Sequence, residues 1–124
     1  MPVNALTQHM PVRQSQALAL LGYFYLKQGF PQRAMTVFAA LEILDPPQPL
    51  HVCALALACR RAGRLEQALV CLDRLALRGA IRAPYHLLRA QVLQGLLRSD
   101  EAAQSMQAYR QAIESPPAPK ERRT

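Results

Sequence analysis

Apolar residues recur every three or four positions along most of this chain, which is the spacing of one face of an α-helix. The pattern predicts six helices, over residues 12–28, 31–44, 50–61, 65–77, 84–94 and 100–114. The sequence does not alternate apolar and polar residues as a β-strand does. We therefore expect an all-α fold, and 124 residues are enough for one domain with its own core.

Local signals indicate where several helices begin and end. Gly29, Gly63 and Gly79 follow apolar runs, in the position that glycine favours after a helix C-terminus. Pro31 opens a helix, and Ser99 is expected to cap the last one. The apolar sides predicted from the spacing are Ala17, Leu18, Leu21 and Tyr25 in the first helix, Ala34, Val37, Phe38, Leu41 and Leu44 in the second, Leu65, Ala68, Leu69, Leu72 and Leu75 in the fourth, and Ala102, Ala103, Met106, Tyr109 and Ile113 in the last.

Small residues recur at a constant interval along the chain. The spacing from Gly29 to Gly63 is the same as that from Ala34 to Ala68 and from Ala68 to Ala102, and we call it the repeat interval. Gly95 comes two positions too early to continue the glycine series, so the turn between the last two helices is predicted to be longer than the others. A repeat of about 34 residues is typical of paired helices that bury their apolar faces by stacking on the next pair.

The first two helices match the pattern of the tetratricopeptide repeat (TPR), W-x2-L-G-x2-Y, then A-x3-F, then P. In residues 15–48 the match is carried by Leu21-Gly22, Tyr25, Ala34, Phe38 and Pro46, with Leu18 in the Trp position. Residues 49–82 keep part of the pattern, and residues 83–116 keep less of it. The chain thus resembles TPR proteins, which implies three tandem helix-turn-helix repeats that form a short right-handed superhelix with a concave groove.

The repeats suggest a division of the chain and a close contact inside the first repeat. Residues 12–114 are expected to form the TPR domain, residues 1–11 a flexible leader, and residues 115–124 a disordered, Pro-rich basic tail. Gly22 and Ala34 are expected where the two helices cross closely, with Tyr25 and Phe38 filling the space beside the crossing.

In TPR proteins the first helix of each repeat lines the groove, so its side chains that face away from the partner helix are candidates for binding. They are Ala19, Tyr23 and Leu26 in the first helix, Leu50, Cys53, Leu57 and Arg60 in the third, and Tyr85, Arg89 and Val92 in the fifth. Such a lining would suit a protein segment with spaced apolar anchors and some acidic residues. Alternatively, Tyr23, Leu26 and Leu57 are core residues covered by the leader or by a second copy of the chain.

The chain is basic and rich in apolar residues. The formal net charge is +7, apolar residues make up 51% of the chain, and charged residues only 19%. Some of the apolar excess is expected on a surface that a partner covers. Arg60, Arg61 and Arg64 form the one compact basic group, which we interpret as solvated residues; a nucleic-acid site and a field that attracts an acidic protein are the alternatives.

The sequence offers no constellation for catalysis or for metal binding. His9, His51 and His86 are far apart and lack a Cys or carboxylate at ligand or triad spacing. The three cysteines, Cys53, Cys59 and Cys71, are expected to be reduced, packed thiols. We expect no enzyme activity, metal or cofactor, and neither a signal peptide nor a membrane-spanning stretch.

Several segments resemble the small TPR chaperones of bacterial type III secretion systems, and most of all the YscY/SctY family. They are Leu20-Leu21-Gly22-Tyr23, Gln28-Gly29, Arg33-Ala34, Arg89-Ala90-Gln91 and Leu93-Gln94-Gly95. The resemblance implies a chaperone in the bacterial cytoplasm that forms an obligate heterodimer with a small secreted SctX-like protein, holds it in the groove and helps deliver it to the export gate. A chaperone of a needle or translocator subunit and a self-associating TPR adaptor are the alternatives.

Overall fold

Six helices make up most of the chain in the computed structural model, which describes residues 12–44 and 48–115. They are α1 (Val12–Gln28), α2 (Pro31–Leu44), α3 (Pro49–Arg61), α4 (Leu65–Leu77), α5 (Ala83–Gly95) and α6 (Ser99–Glu114). These two ranges contain no strand, so the all-α prediction is confirmed, with each helix boundary within one residue of its expected place. The predicted leader and residues 116–124 of the predicted tail lie outside the described residues.

Each helix packs mainly on its neighbours in the chain, and α3 also touches α1 and α5. Two or three residues join α1 to α2, α3 to α4 and α5 to α6, so the members of each pair run antiparallel. Two ion pairs add to the contacts between neighbouring pairs: Arg74 of α4 binds Glu42 of α2, and Arg89 of α5 lies 3.7 Å from Asp73 of α4. Because α3 contacts both α1 and α5, these three helices follow one another along one side of the structure.

The α1–α2 crossing is built on Gly22, as the sequence predicts. Phe38 is fully buried, and its ring lies so close to Gly22 that a Cβ atom there would be 2.7 Å from Phe38 Cζ. Ala34 is also fully buried, and the Tyr23 ring meets Phe38 edge-on with centroids 5.0 Å apart. The absence of a side chain at residue 22 therefore lets an aromatic ring fill the space between the helices.

The helix ends repeat one arrangement of backbone hydrogen bonds. At the end of α1 the Phe30 N–H donates to the Tyr25 carbonyl and the Gly29 N–H to the Leu26 carbonyl, a Schellman motif. The same two bonds recur one repeat interval later at the end of α3, and one further interval later at the end of α5. The positive-φ residue of the motif is Gly29, then Gly63, then Leu97.

This recurrence corrects the predicted longer turn after α5. Gly95 is the last residue of α5, whereas Leu97 takes the glycine position with φ of 62°. Gly63 and Leu97 are separated by one full repeat interval, so the turn keeps its length and only the residue type changes. A Cβ atom at Gly95 would lie 2.8 Å from Cδ1 of Leu65, so the Leu65 side chain would have to shift to make room for it.

Replacing Leu97 with glycine is expected to stabilise the protein. A left-handed conformation costs a non-glycine residue about 1–2 kcal/mol, and the Leu97 side chain is 85% exposed and contributes little packing. We expect Leu97→Gly to raise the free energy of unfolding in urea by about 0.5–1 kcal/mol. Gly63→Leu, the reverse change at the matching turn, should lower it, and a loss of stability in Leu97→Gly would contradict this account.

Two of the predicted apolar sides and one predicted helix cap are wrong in detail. In α1, Ala17 and Leu21 are exposed, while Ser15, Ala19, Gly22 and Leu26 are buried. In α6, Ala103 and Ile113 are exposed, and the buried residues are Ala102 and Ser105. Ser99 lies within α6, and its N-cap is Arg98, whose guanidinium is hydrogen-bonded to Glu101. The predicted buried sides of α2 and α4 are confirmed, with Val37, Leu44, Leu65 and Leu69 half-buried.

Candidate partner-binding site

A cavity of about 300 Å³ lies along α1, α3 and α5, and we call it the inner cavity. Each of the three helices contributes side chains, and all but one of them are apolar or aromatic. The lining residues are Tyr23 and Leu26 of α1, Leu50, Cys53, Ala54 and Leu57 of α3, and Pro84, Leu87, Leu88 and Gln91 of α5. A concave site of this kind can bury the apolar side chains of a bound segment.

A second cavity, the adjoining cavity, continues from the first toward α4. It has about 410 Å³ and shares Leu50, Cys53 and Pro84 with the inner cavity. Its other lining residues are Pro49, Leu75, Gly79, Ala80, Arg82 and Tyr85. Leu50 is 67% exposed between the two cavities, so a ligand can reach it from solvent.

The polar groups in these cavities are few, and one of them lacks a partner. The Tyr23 hydroxyl is buried and has no hydrogen-bond partner among the described residues. Burial raises the pKa of Tyr23, with a smaller contribution from Cys53, and burial also raises the pKa of the Cys53 thiol. Both groups are therefore neutral at pH 7, so the inner cavity offers uncharged groups and apolar surface to a ligand.

The structure brings together six of the ten predicted groove residues. Tyr23, Leu26, Leu50, Cys53 and Leu57 line the inner cavity, and Tyr85 lines the adjoining one. The other four line neither cavity. Ala19 and Val92 are buried in the core, Arg89 is near Asp73, and Arg60 is half-buried with its Nε lacking a hydrogen-bond partner in the described part of the chain.

In α5 the predicted residues differ from those that line the inner cavity. Tyr85, Arg89 and Val92 are expected from the sequence, whereas Pro84, Leu88 and Gln91 line the inner cavity. The predicted residues do not follow the repeat interval from α3. Had the interval been kept, Leu50, Cys53 and Leu57 of α3 would have pointed to Pro84, Leu87 and Gln91.

The arginines at the end of α3 do not act as one group. Arg61 donates a hydrogen bond from Nη1 to the Leu26 carbonyl at 3.2 Å, which ties the C-terminal ends of α3 and α1 together. Arg64 is exposed at the following turn, and Arg60 is half-buried. A basic face for nucleic acid needs cations that point into one surface, and these three differ in burial and contacts.

The residues that the structure describes offer neither a disulfide nor a metal-binding cluster. All three cysteines are free thiols; Cys59 and Cys71 are buried together, and a hydrogen bond from Cys71 lowers the pKa of Cys59. Within residues 12–44 and 48–115, no cluster of three or more His, Cys, Asp or Glu side chains is placed to bind a metal ion. Over the same residues, no helix combines the length and the apolar character needed to cross a membrane.

Comparison of the chain with protein-family models, with curated proteins and with solved structures found no match. The functional interpretation therefore depends on the geometry of the cavities and on the sequence pattern.

Proposed function

We propose that the protein is a TPR-type binding module that holds an apolar segment of a partner protein in the inner and adjoining cavities. The observation that carries this proposal is the lining of the inner cavity. Leu50, Cys53 and Leu57 of α3 and the residues one repeat interval later in α5 all line it, so equivalent faces of successive helices form one continuous apolar site. Apolar anchors of a bound segment would be buried there.

The proposed architecture is three TPR repeats, at about residues 15–48, 49–82 and 83–116, in a short right-handed superhelix with α1, α3 and α5 along its groove. The Schellman motifs, which recur at the repeat interval, support this assignment, because they give each helical pair the same turn. The fully buried Ala34 and Ala68 and the buried Ala102 support it as well, since a small residue at this position lets paired helices approach closely.

Within this class we propose a cytoplasmic type III secretion chaperone of the YscY/SctY type, without enzyme activity. Its partner would be a small secreted SctX-like protein, and delivery to the export gate would follow binding. The sequence segments described above support this choice. The open apolar cavities also fit a protein that is stable mainly as a heterodimer, because a partner that binds only the folded state raises its apparent stability.

Co-expression with a small SctX-like protein encoded nearby tests the proposal. We expect the two chains to copurify as a heterodimer, and we expect the protein expressed alone to unfold at a lower temperature than the complex. The proposal is contradicted if the protein is monodisperse and equally stable alone and copurifies with nothing. A homo-oligomer that light scattering detects at several concentrations would instead favour a self-associating adaptor.

A further inference from the structure

Helix α1 carries a second apolar face, separate from both cavities. Leu20 is 69% exposed, Phe24 is 54% exposed, and Leu21 lies beside them at helical spacing, so the three form one stripe along α1. The stripe continues into Phe30, which is also exposed, through Tyr25: ring centroids are 6.1 Å apart from Phe24 to Tyr25 and 6.4 Å from Tyr25 to Phe30. Contiguous apolar surface of this kind marks an interaction site more often than single exposed residues do.

The equivalent positions of α3 and α5 are covered. One and two repeat intervals after Phe24 stand Ala58 and Val92, which are fully buried. The same steps from Leu20 lead to Ala54 and Leu88, which are buried as well and also line the edge of the inner cavity. Helix α3 packs on α2, and α5 packs on α4. The described residues include no helix that holds the corresponding place on α1. The stripe is therefore the face at which this architecture places a neighbouring helix, and none of the described residues forms that helix at α1.

Charge indicates what kind of helix fits. Helix α1 contains Arg13 and Lys27 and no acidic residue. Beyond its end, the Arg33 guanidinium lies over the Phe30 ring at 5.0 Å from the centroid. Two α1 helices from two copies would bring only positive charges together, whether they paired parallel or antiparallel. A helix with acidic flanks would complement these charges.

We propose that the α1 stripe (Leu20, Leu21, Phe24 and Phe30) docks an amphipathic helix of a partner protein, with one apolar side and acidic flanks. This surface is additional to the cavities of the proposed function. Phe24 is much larger than Ala58 and Val92 at the equivalent positions, so the docked helix cannot approach as closely there as α2 approaches α3. The Phe24 ring instead enters a recess between side chains of the docked helix, as aromatic anchors do at interfaces.

Site-specific photocrosslinking in the cells that make the full chain tests this proposal. The crosslinker p-benzoylphenylalanine replaces Phe24 in one variant, Leu57 of the inner cavity in a second, and Ile43 in a third. Ile43 is the control, because it is 82% exposed on α2 and lines neither cavity. Mass spectrometry then identifies the crosslinked peptide. We expect position 24 to capture a segment of another protein that is amphipathic at helical spacing and carries more Asp and Glu than Lys and Arg.

That segment, made as a synthetic peptide, should bind the purified protein at least tenfold more weakly after Phe24→Asp and equally well after Ile43→Asp. The affinity should fall as salt rises. The proposal is overturned if position 24 crosslinks to residues 1–11 of its own chain, to a second copy, to a basic or non-amphipathic segment, or no more than position 43 does. A crosslink at position 57 without one at position 24 would overturn this inference and leave the proposed function standing.

Discussion

Phe38→Ala is expected to lower the free energy of unfolding by about 3–5 kcal/mol, which is the usual cost of removing a buried phenylalanine. Phe38 is fully buried, fills the space above Gly22 and supports the Tyr23 ring. A domain of this size has about 5–15 kcal/mol in total, so the variant should be close to unfolding at 37 °C. Urea denaturation followed by circular dichroism measures the change.

A matched pair of variants separates this contact from a general effect of losing an aromatic ring. Phe30→Ala, at a half-exposed ring, should cost less than about 1 kcal/mol.

Gly22→Ala tests the crossing from the other helix. It should destabilise the wild-type protein, because its new Cβ would press on the Phe38 ring, but by less than Phe38→Ala does. In the Phe38→Ala background the same Cβ enters the vacated space, so Gly22→Ala should become stabilising. If the two substitutions are additive, the proposed crossing is wrong.

The second large effect is expected on partner binding. Leu57→Asp places a carboxylate in the inner cavity and should weaken the complex with the copurified partner by about a hundredfold or more, since burying an unpaired charge is costly. Leu57 also packs against the core, so this variant is expected to lose some stability. Leu50→Asp avoids that difficulty, because Leu50 is exposed between the two cavities, and should weaken binding at least about tenfold.

Calorimetric titration with the partner measures both effects, after circular dichroism has shown that each variant is folded. Ile43→Asp is the matched control: it introduces the same charge at an exposed leucine-sized residue away from both cavities. Equal affinities for Leu50→Asp and Ile43→Asp would place the bound segment elsewhere, and the cavity proposal would then fail.

Much of the helical framework could be predicted from local signals in the sequence. The end of α1 at Gln28, before Gly29, and the start of α2 at Pro31 follow from residues whose backbone preferences act within a few positions. The Gly22–Phe38 contact was also predictable, because the TPR pattern pairs a small residue with a large one across the crossing.

The register of α5 was harder to predict, because a leucine, Leu97, occupies the turn position where glycine is expected. A leucine rarely adopts positive φ, so Leu97 gave no turn signal, and the nearby Gly95 drew the predicted turn two residues early. The turn hydrogen bonds hold Leu97 at positive φ, whereas Gly95 is the last residue of α5 and lies close to the Leu65 side chain of α4. The predicted Tyr85 and Arg89 likewise stand two positions before Leu87 and Gln91, which follow Cys53 and Leu57 by one repeat interval and line the inner cavity.

The exposed face of α1 could not be deduced from periodicity alone. Leu21 carries the same apolar signal as a core residue, and whether it is buried depends on whether another helix lies against it. At Leu55, the equivalent position one repeat interval later, neighbouring helices cover the side chain, and it is buried. The difference between the two positions is their place in the stack, which the pattern within one helix does not contain.

Alkylation of Cys53 tests most directly whether a partner occupies the cavities. Cys53 lines both of them, whereas Cys59 and Cys71 are buried, so a maleimide at pH 8 should label one thiol of the folded protein and none after Cys53→Ser. In the complex with the copurified partner, we predict that labelling of Cys53 slows at least tenfold. An unchanged labelling rate in a complex shown to be intact would contradict the central claim that the partner binds in these cavities.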